Sequence, residues 1–254
     1  MAHARDTGGA ESPPSGAAAE IVAALATAAD PARAVPMAAY MRDRFAFLGV
    51  PTPLRRQLAR RFIALAKRPG GAATALVRAQ GLWRERWREC HYVAVDLLAA
   101  CAPQLPAAAL ADLERLIVTH SWRDSVDALA KHAVGALVRN HPGTVATIDR
   151  WAVDPNLWLR RTAILHQLGA KGATDRERLF RHCRANGGDP EFFIRKGIGW
   201  ALREYAYVDP DAVRDFLDAH RGALSPLSVR EASKHLAPRR AAGSPRRSAA
   251  DPAR

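Results

Sequence analysis

The chain has 254 residues, 48% of them hydrophobic and only 7% aromatic; Ala supplies much of the apolar share, a composition suited to close helix packing and poorly suited to a β-sandwich. Its formal charge of +13 divides into −1 on residues 1–18, +10 on residues 19–238 and +4 on residues 239–254. The folded body is itself basic, which favours a polyanionic partner through counterion release. Three cysteines, Cys90, Cys101 and Cys183, form no CxxC and leave one thiol over, so nothing supports a disulfide framework or a zinc site, and a reducing, cytoplasmic setting is expected.

Residues 1–18 carry Asp6 and Glu11 among Gly, Ser and Pro, without the apolar core of a signal peptide or membrane span, and read as a disordered leader. Residues 19–238 alternate helix and short turn, with turn signals at Cys101-Ala102-Pro103, Asn140-His141-Pro142-Gly143, Gly169-Ala170-Lys171-Gly172, Asp209-Pro210 and Ala237-Pro238. The periodicity predicts helices over 110–119, 144–152, 174–184 and 211–220, each followed by a second helix. Ser121, Asp154-Pro155, Asp189-Pro190 and Ser225-Pro226 are start signals for those second helices, at intervals of 33, 35 and 36 residues. Thr174 with Glu177, and Ser228 with Glu231, have capping-box spacing. A period of about 35 residues over the folded body predicts an all-α superhelix of about six HEAT-like repeats with one basic concave face. Residues 239–254 read as a disordered basic tail.

The second helices carry the candidate functional side chains. After Ser121, Val126, Leu129, Ala130, Ala133 and Leu137 form the buried stripe, and Asp127 lies beside it. After Asp154, Arg161 interrupts an apolar stripe and therefore needs a partner. After Asp189, Trp200 falls off the core face with Lys196 and Arg203, an arrangement suited to a sugar-phosphate backbone. Asp127, Arg160 and Arg195 each follow their start signal by six residues and are expected to project in similar directions.

Several segments together resemble the DNA alkylation repair proteins of the AlkD-like DNA glycosylase family. They are Tyr40 to Val50 with Thr52-Pro53, Arg88-Glu89, Ser121-Trp122-Arg123-Asp124-Ser125-Val126-Asp127, Trp158 to Leu165, and Phe192 to Tyr205. The resemblance implies a helical array that grips duplex DNA and removes purines alkylated at N3 or N7. It maps the family's catalytic aspartate onto Asp127, its arginine onto Arg160 or Arg161 with spacing favouring Arg161, and a DNA-contacting tryptophan onto Trp200. Tyr40, Trp122, Arg123 and Arg160 join Arg195, Lys196 and Arg203, which helical position alone singles out, as candidate DNA contacts. Where the family's usual pattern has a second Trp this chain has Arg123, which trades a stacking surface for a cation.

The implied chemistry needs little. An N3- or N7-alkylated purine is already cationic and leaves without a general acid, so one carboxylate that stabilises the oxocarbenium-like sugar and positions water suffices, with neither cofactor nor metal. No base-flipping pocket is required, and the array is expected to act as a monomer on DNA, away from membranes. The residues alone leave other readings open. Asp127 can pair with Lys131 one turn on, Asp124 reads as a first-turn acid, Trp122 and Tyr40 can pack inward, and Arg161 can be an internal salt-bridge partner. A non-catalytic protein that binds distorted or branched DNA and a protein–protein scaffold remain the alternative functions.

Overall fold

A computed structural model describes residues 16–236 of the chain; the expected leader up to residue 15, the Ala237-Pro238 turn and the basic tail lie outside the described residues. The architecture is all-α, a helical solenoid, and among the described residues the only β pairing is a single bridge between Ala46 and Trp87. Helices α1 (Gly16–Thr27), α2 (Pro31–Tyr40) and α3 (Thr52–Ala66) form the first unit, and α1 begins three residues ahead of the expected boundary at residue 19. Five pairs follow. They are α4 (Gly71–Trp83) with α5 (Arg88–Cys101), α6 (Ala109–Val118) with α7 (Arg123–Ala128), α9 (Val145–Trp151) with α10 (Leu157–Leu165), α11 (Arg176–Ala185) with α12 (Phe192–Tyr205), and α13 (Pro210–Ala219) with α14 (Pro226–Ala232). Helix α7 continues through a π-helical turn, Leu129–Val134, into α8 (Gly135–Asn140). The second helices α5, α7, α10, α12 and α14 pack each on the next, which brings their side chains to one surface.

Two apolar clusters hold the array. One runs from Ala18 to Ala163, and the other joins Ile164 and Leu168 to Ile198, Leu202, Val213 and Phe216. A third, small cluster of Met41, Phe47 and Trp122 lies apart, with Trp158 and Phe193 packed against it. The N-terminal segment is tied down by Glu89, whose buried carboxylate accepts from the backbone N–H groups of Leu48, Gly49 and Val50 at 3.0, 2.9 and 3.1 Å. Three such bonds satisfy donors that a non-helical turn otherwise leaves open.

The start signals behave in three ways. Ser225 caps α14, its side chain accepting from Ser228 N. Asp154 and Asp189 do not cap; each accepts from the N–H two residues on, Asn156 and Glu191, and the helix begins after that turn. An Asp-Pro is compatible with either outcome, for Asp209 before Pro210 does cap α13, accepting from Ala212 N. Ser121 caps nothing: its hydroxyl donates back to Ile117 O, and Trp122 precedes α7 without a side-chain cap. Neither capping box forms. Asp175, not Thr174, caps α11, and Ser228 sits inside α14, where its hydroxyl donates to Arg195 O.

Gly199 sets the approach of α12 to α14. A Cβ at Gly199 would stand 2.4 Å from the Cβ of Glu231 and 3.0 Å from Ser228 O. Ala is the better helix former by about 1 kcal/mol, yet the two helices must separate to admit it, and such overpacking costs about 1–3 kcal/mol. Gly199→Ala is therefore expected to lower the denaturant midpoint with little change in its slope. An unchanged or raised midpoint would show that the interface yields freely.

Candidate functional site

Asp127 is the fifth residue of α7, and a cleft opens beside it. The cleft is lined by Tyr40, Arg42, Trp122, Arg123, Asp127, Arg161 and, from α12 and α14, Lys196, Trp200, Arg203 and Glu231. Eight of the ten site residues expected from sequence thus meet in one place, and two do not. The reason is register. Because an extra turn residue follows Asp154 and Asp189, the fifth positions of α10 and α12 are Arg161 and Lys196, and Arg160 and Arg195 fall one residue early. A step of one residue rotates a side chain by about 100° around a helix, so the two pairs project differently.

Arg160 turns back onto its own helix start. Its Nε donates to Asp189 Oδ2 at 3.1 Å, and its Nη1 donates to the carbonyls of Asp154 and Pro155 at 2.6 and 2.9 Å. Arg195 donates to Pro190 O and borders a separate shallow groove with Gly187, Asp189 and Leu224. Both arginines link one repeat to its entering turn, and the expectation that they lie with Asp127 is corrected.

At the centre of the cleft Asp127 and Arg161 form a bidentate pair. Arg161 Nε donates to Oδ1 at 2.6 Å and Nη2 to Oδ2 at 2.8 Å, while Nη1 donates to Phe193 O. Thus the charge that interrupts the α10 stripe does have a partner, one repeat away. Gly197 makes room for it, since a Cβ there would lie 3.1 Å from Arg161 Nη1. The Asp127 carboxylate retains an open edge, with side-chain exposure of 17% against 5% for Arg161. Burial raises the Asp127 pKa above its ordinary value, and the hydrogen bonds and charge of Arg161 oppose that rise. Lys131 takes no part; the π-helical turn that begins at Leu129 winds wider than an α-helix and carries Lys131 off the Asp127 face.

Aromatic rings floor the cleft. Trp122 is buried and meets Phe193 at 5.3 Å and Trp158 at 6.2 Å, with the Arg44 guanidinium 4.6 Å from its ring centre. Trp200 is half-buried between Lys196 and Arg203. At the mouth Tyr40 is 73% exposed, and Arg123 Nη2 donates to its hydroxyl at 3.1 Å, joining α2 to α7. Asp124 lies behind, not in, the cleft: it accepts from Tyr92 Oη and Arg88 Nη2, both at 2.5 Å, and from Ser125 N. Arg88 is itself fully buried, so Asp124 serves as its counter-charge.

Glu231, Arg42 and Phe193 were not among the site residues expected from sequence. Glu231 accepts from Lys196 and Lys234 through Oε1 at 2.8 and 2.9 Å and from Arg203 through Oε2 at 3.0 Å. Hydrogen bonds from the two lysines hold its pKa down to about 2, so it remains charged and keeps three cations converged beside Trp200. Its spacing to Ser228 suggested a capping box and concealed this role. Arg42, at φ 57, and the adjacent Asp43, at φ 53, hold a left-handed turn at the cleft edge, a conformation that non-glycine residues adopt rarely. Such a pair at a cleft is a signal only the backbone gives.

Comparison with known proteins places the chain in a family. The family model described as DNA alkylation repair enzyme matches residues 21–236. Among solved structures, a predicted DNA alkylation repair enzyme from Enterococcus faecalis is similar at 31% identity and a TM-score of 0.75, covering 82% of this chain and 97% of its own. The protein smu.31 from Streptococcus mutans UA159 shares the fold at 19% identity and a TM-score of 0.56, over 70% of this chain and 91% of its own. No curated protein matches the chain. Among the described residues, no helix is long and apolar enough to cross a membrane.

Proposed function

Since this chain belongs to the DNA alkylation repair enzyme family, we propose that it is a DNA glycosylase that hydrolyses the N-glycosidic bond of N3- or N7-alkylated purines in duplex DNA. One observation carries the reading: a half-buried carboxylate, fixed at both oxygens by Arg161, keeps one edge open to a cleft rich in cations and aromatic rings. Duplex DNA supplies phosphates for Lys196, Arg203 and Arg123, and sugar edges for Trp200. The alkylated purine leaves as a neutral base because its positive charge passes to the sugar as the C1′–N bond breaks. Asp127 then faces an oxocarbenium-like centre, and a fixed negative charge in a partly dry site stabilises it without reorganisation. The same carboxylate orients the water that adds to C1′ and takes its proton. Arg161 keeps Asp127 aimed and ionised, a positioning role. The protein acts as a monomer, and the alkylated base needs no enclosing pocket because it departs unaided.

A duplex treated with a methylating agent tests this. Abasic sites accumulating in proportion to protein support the glycosylase; tight binding with no abasic sites, and preference for branched over linear duplex, supports a non-catalytic DNA-binding protein instead. That second reading draws on Arg123, which sits at the cleft mouth on Tyr40 where the family resemblance leads one to expect a Trp.

The pH dependence follows from the Asp127 environment. A carboxyl whose pKa is raised takes up its proton at a higher pH than a free Asp at 3.8, and the protonated form has no charge to offer. Excision is expected to fall as pH drops, with the midpoint of the acid limb above 3.8. Single-turnover rates measured from about pH 4 to about pH 8, corrected for spontaneous depurination, check the sign; a rate that stays flat down to about pH 4 would remove Asp127 as the titrating group.

A further inference from the structure

A second cavity, of about 520 Å³, shares no lining residue with the cleft. It lies on another face of the same helices, between the π-helical turn after α7, the C-terminal ends of α10 and α12, and α11. Its volume falls within the range of about 300–1,000 Å³ typical of small-molecule sites. The floor is apolar, made by Ile164, Leu168, Leu179 and Ala201. At the rim Tyr207 and Val208 stay 70% and 41% exposed, with the His235 ring 5.5 Å from that of Tyr207.

The charges in this cavity are unbalanced. Glu204 accepts from Gly169 N at the turn after α10 and keeps its negative charge, so with Lys131 and Lys171 the lining carries one net positive charge. Lys131 and Lys171 also line the cavity, and neither ammonium has a hydrogen bond or ion pair among the described residues. The Lys131 stem lies on the turn, with its Cε 3.2 Å from where a Cβ of Gly169 would stand, and the residue as a whole is half-buried, whereas Lys171 is exposed. Lys171 is held at φ 52, a left-handed conformation unfavourable for lysine, which directs the chain around the cavity edge. Two unpartnered cations over an apolar floor match a ligand with an apolar body and a single anionic head, and the rings of Tyr205 and Tyr207 suit a planar body.

We propose that this cavity binds a small aromatic anion, a ring body bearing one sulfonate, carboxylate or phosphate group, with Lys131 and Lys171 on the anionic head. The site is independent of the glycosylase reading, and its test requires neither DNA nor excision. The full-length protein is titrated with the dye 8-anilinonaphthalene-1-sulfonate, whose fluorescence rises in apolar surroundings. One saturable site is expected, weakened at least tenfold by the double change Lys131→Met and Lys171→Met, which keeps stem length and removes charge. Thr174→Trp, which fills the cavity mouth, is expected to abolish binding with the unfolding temperature unchanged, whereas Lys196→Met in the cleft leaves the dye affinity unaltered. Phenyl phosphate should displace the dye and octanoate should not. Affinity insensitive to the lysine pair and to Thr174→Trp, or lowered equally by Lys196→Met, would overturn the site, and displacement by octanoate alone would overturn the aromatic class.

Discussion

Asp127→Asn is expected to reduce single-turnover release of 7-methylguanine by about 10²–10³-fold, the cost typical of removing one fixed electrostatic stabiliser of a transition state, while affinity for an unmodified duplex stays equal or rises. The substitution is nearly isosteric. The amide oxygen that replaces the carboxylate can still accept one bond from Arg161, so the cleft is expected to keep its shape. What disappears is the negative charge opposite the developing sugar cation, together with the acceptor for the attacking water's proton. Removing an acid from a cleft that faces phosphates lowers repulsion, which is why binding does not fall. Gel-shift affinity on a plain duplex and base release on a 7-methylguanine duplex separate the two effects. Excision within a few-fold of the wild type would remove Asp127 from the mechanism.

Arg161→Met is expected to lower both excision and stability. Arg161 is 4% exposed and makes three donations, two to Asp127 and one to Phe193 O. Met fills the aliphatic volume but leaves a largely buried carboxylate without its counter-charge and a carbonyl without its donor. Breaking a buried pair from one side costs about 3–5 kcal/mol, and the lower end applies because Asp127 keeps an open edge. With desolvation no longer opposed by Arg161, the Asp127 pKa rises further, and the acid limb of excision moves to higher pH. Equilibrium denaturation gives the stability change, and the pH–rate profile gives the shift. A stable Arg161→Met protein with the wild-type pH profile would mean that the pair neither supports the fold nor tunes the carboxylate. The same logic predicts that Arg161→Met combined with Asp127→Asn is more stable than Arg161→Met alone, because the uncompensated charge is gone.

The array and its repeat were legible in the chain because apolar periodicity and Pro-marked turns recur through it, and the predicted helices 110–119 and 211–220 lie within one residue of α6 and α13 at each end. The start signals were readable as boundaries but not as caps. An Asp-Pro can cap a helix or close an Asx-turn that delays it, and local sequence does not distinguish the two. That single residue of delay decides which arginine faces the cleft: Arg161 rather than Arg160, and Lys196 rather than Arg195. Asp127 and Lys131 were separated for a comparable reason, since a π-helical turn depends on packing against neighbouring helices and leaves no mark in the residue pattern. Glu231 was out of reach altogether. Its role depends on the approach of α14 to α12 at Gly199, a tertiary contact across 32 residues of chain, whereas Trp200 with Lys196 and Arg203 could be read from one helix alone.

The most direct measurement of the central claim follows the base itself. A duplex with a single 7-methylguanine is held with protein in molar excess at neutral pH, and free base is quantified against time beside a protein-free control. First-order appearance of 7-methylguanine well above spontaneous depurination, leaving an abasic strand, is the predicted result. A fully bound duplex that releases base no faster than the control would contradict the assignment of this cleft to glycosidic bond hydrolysis.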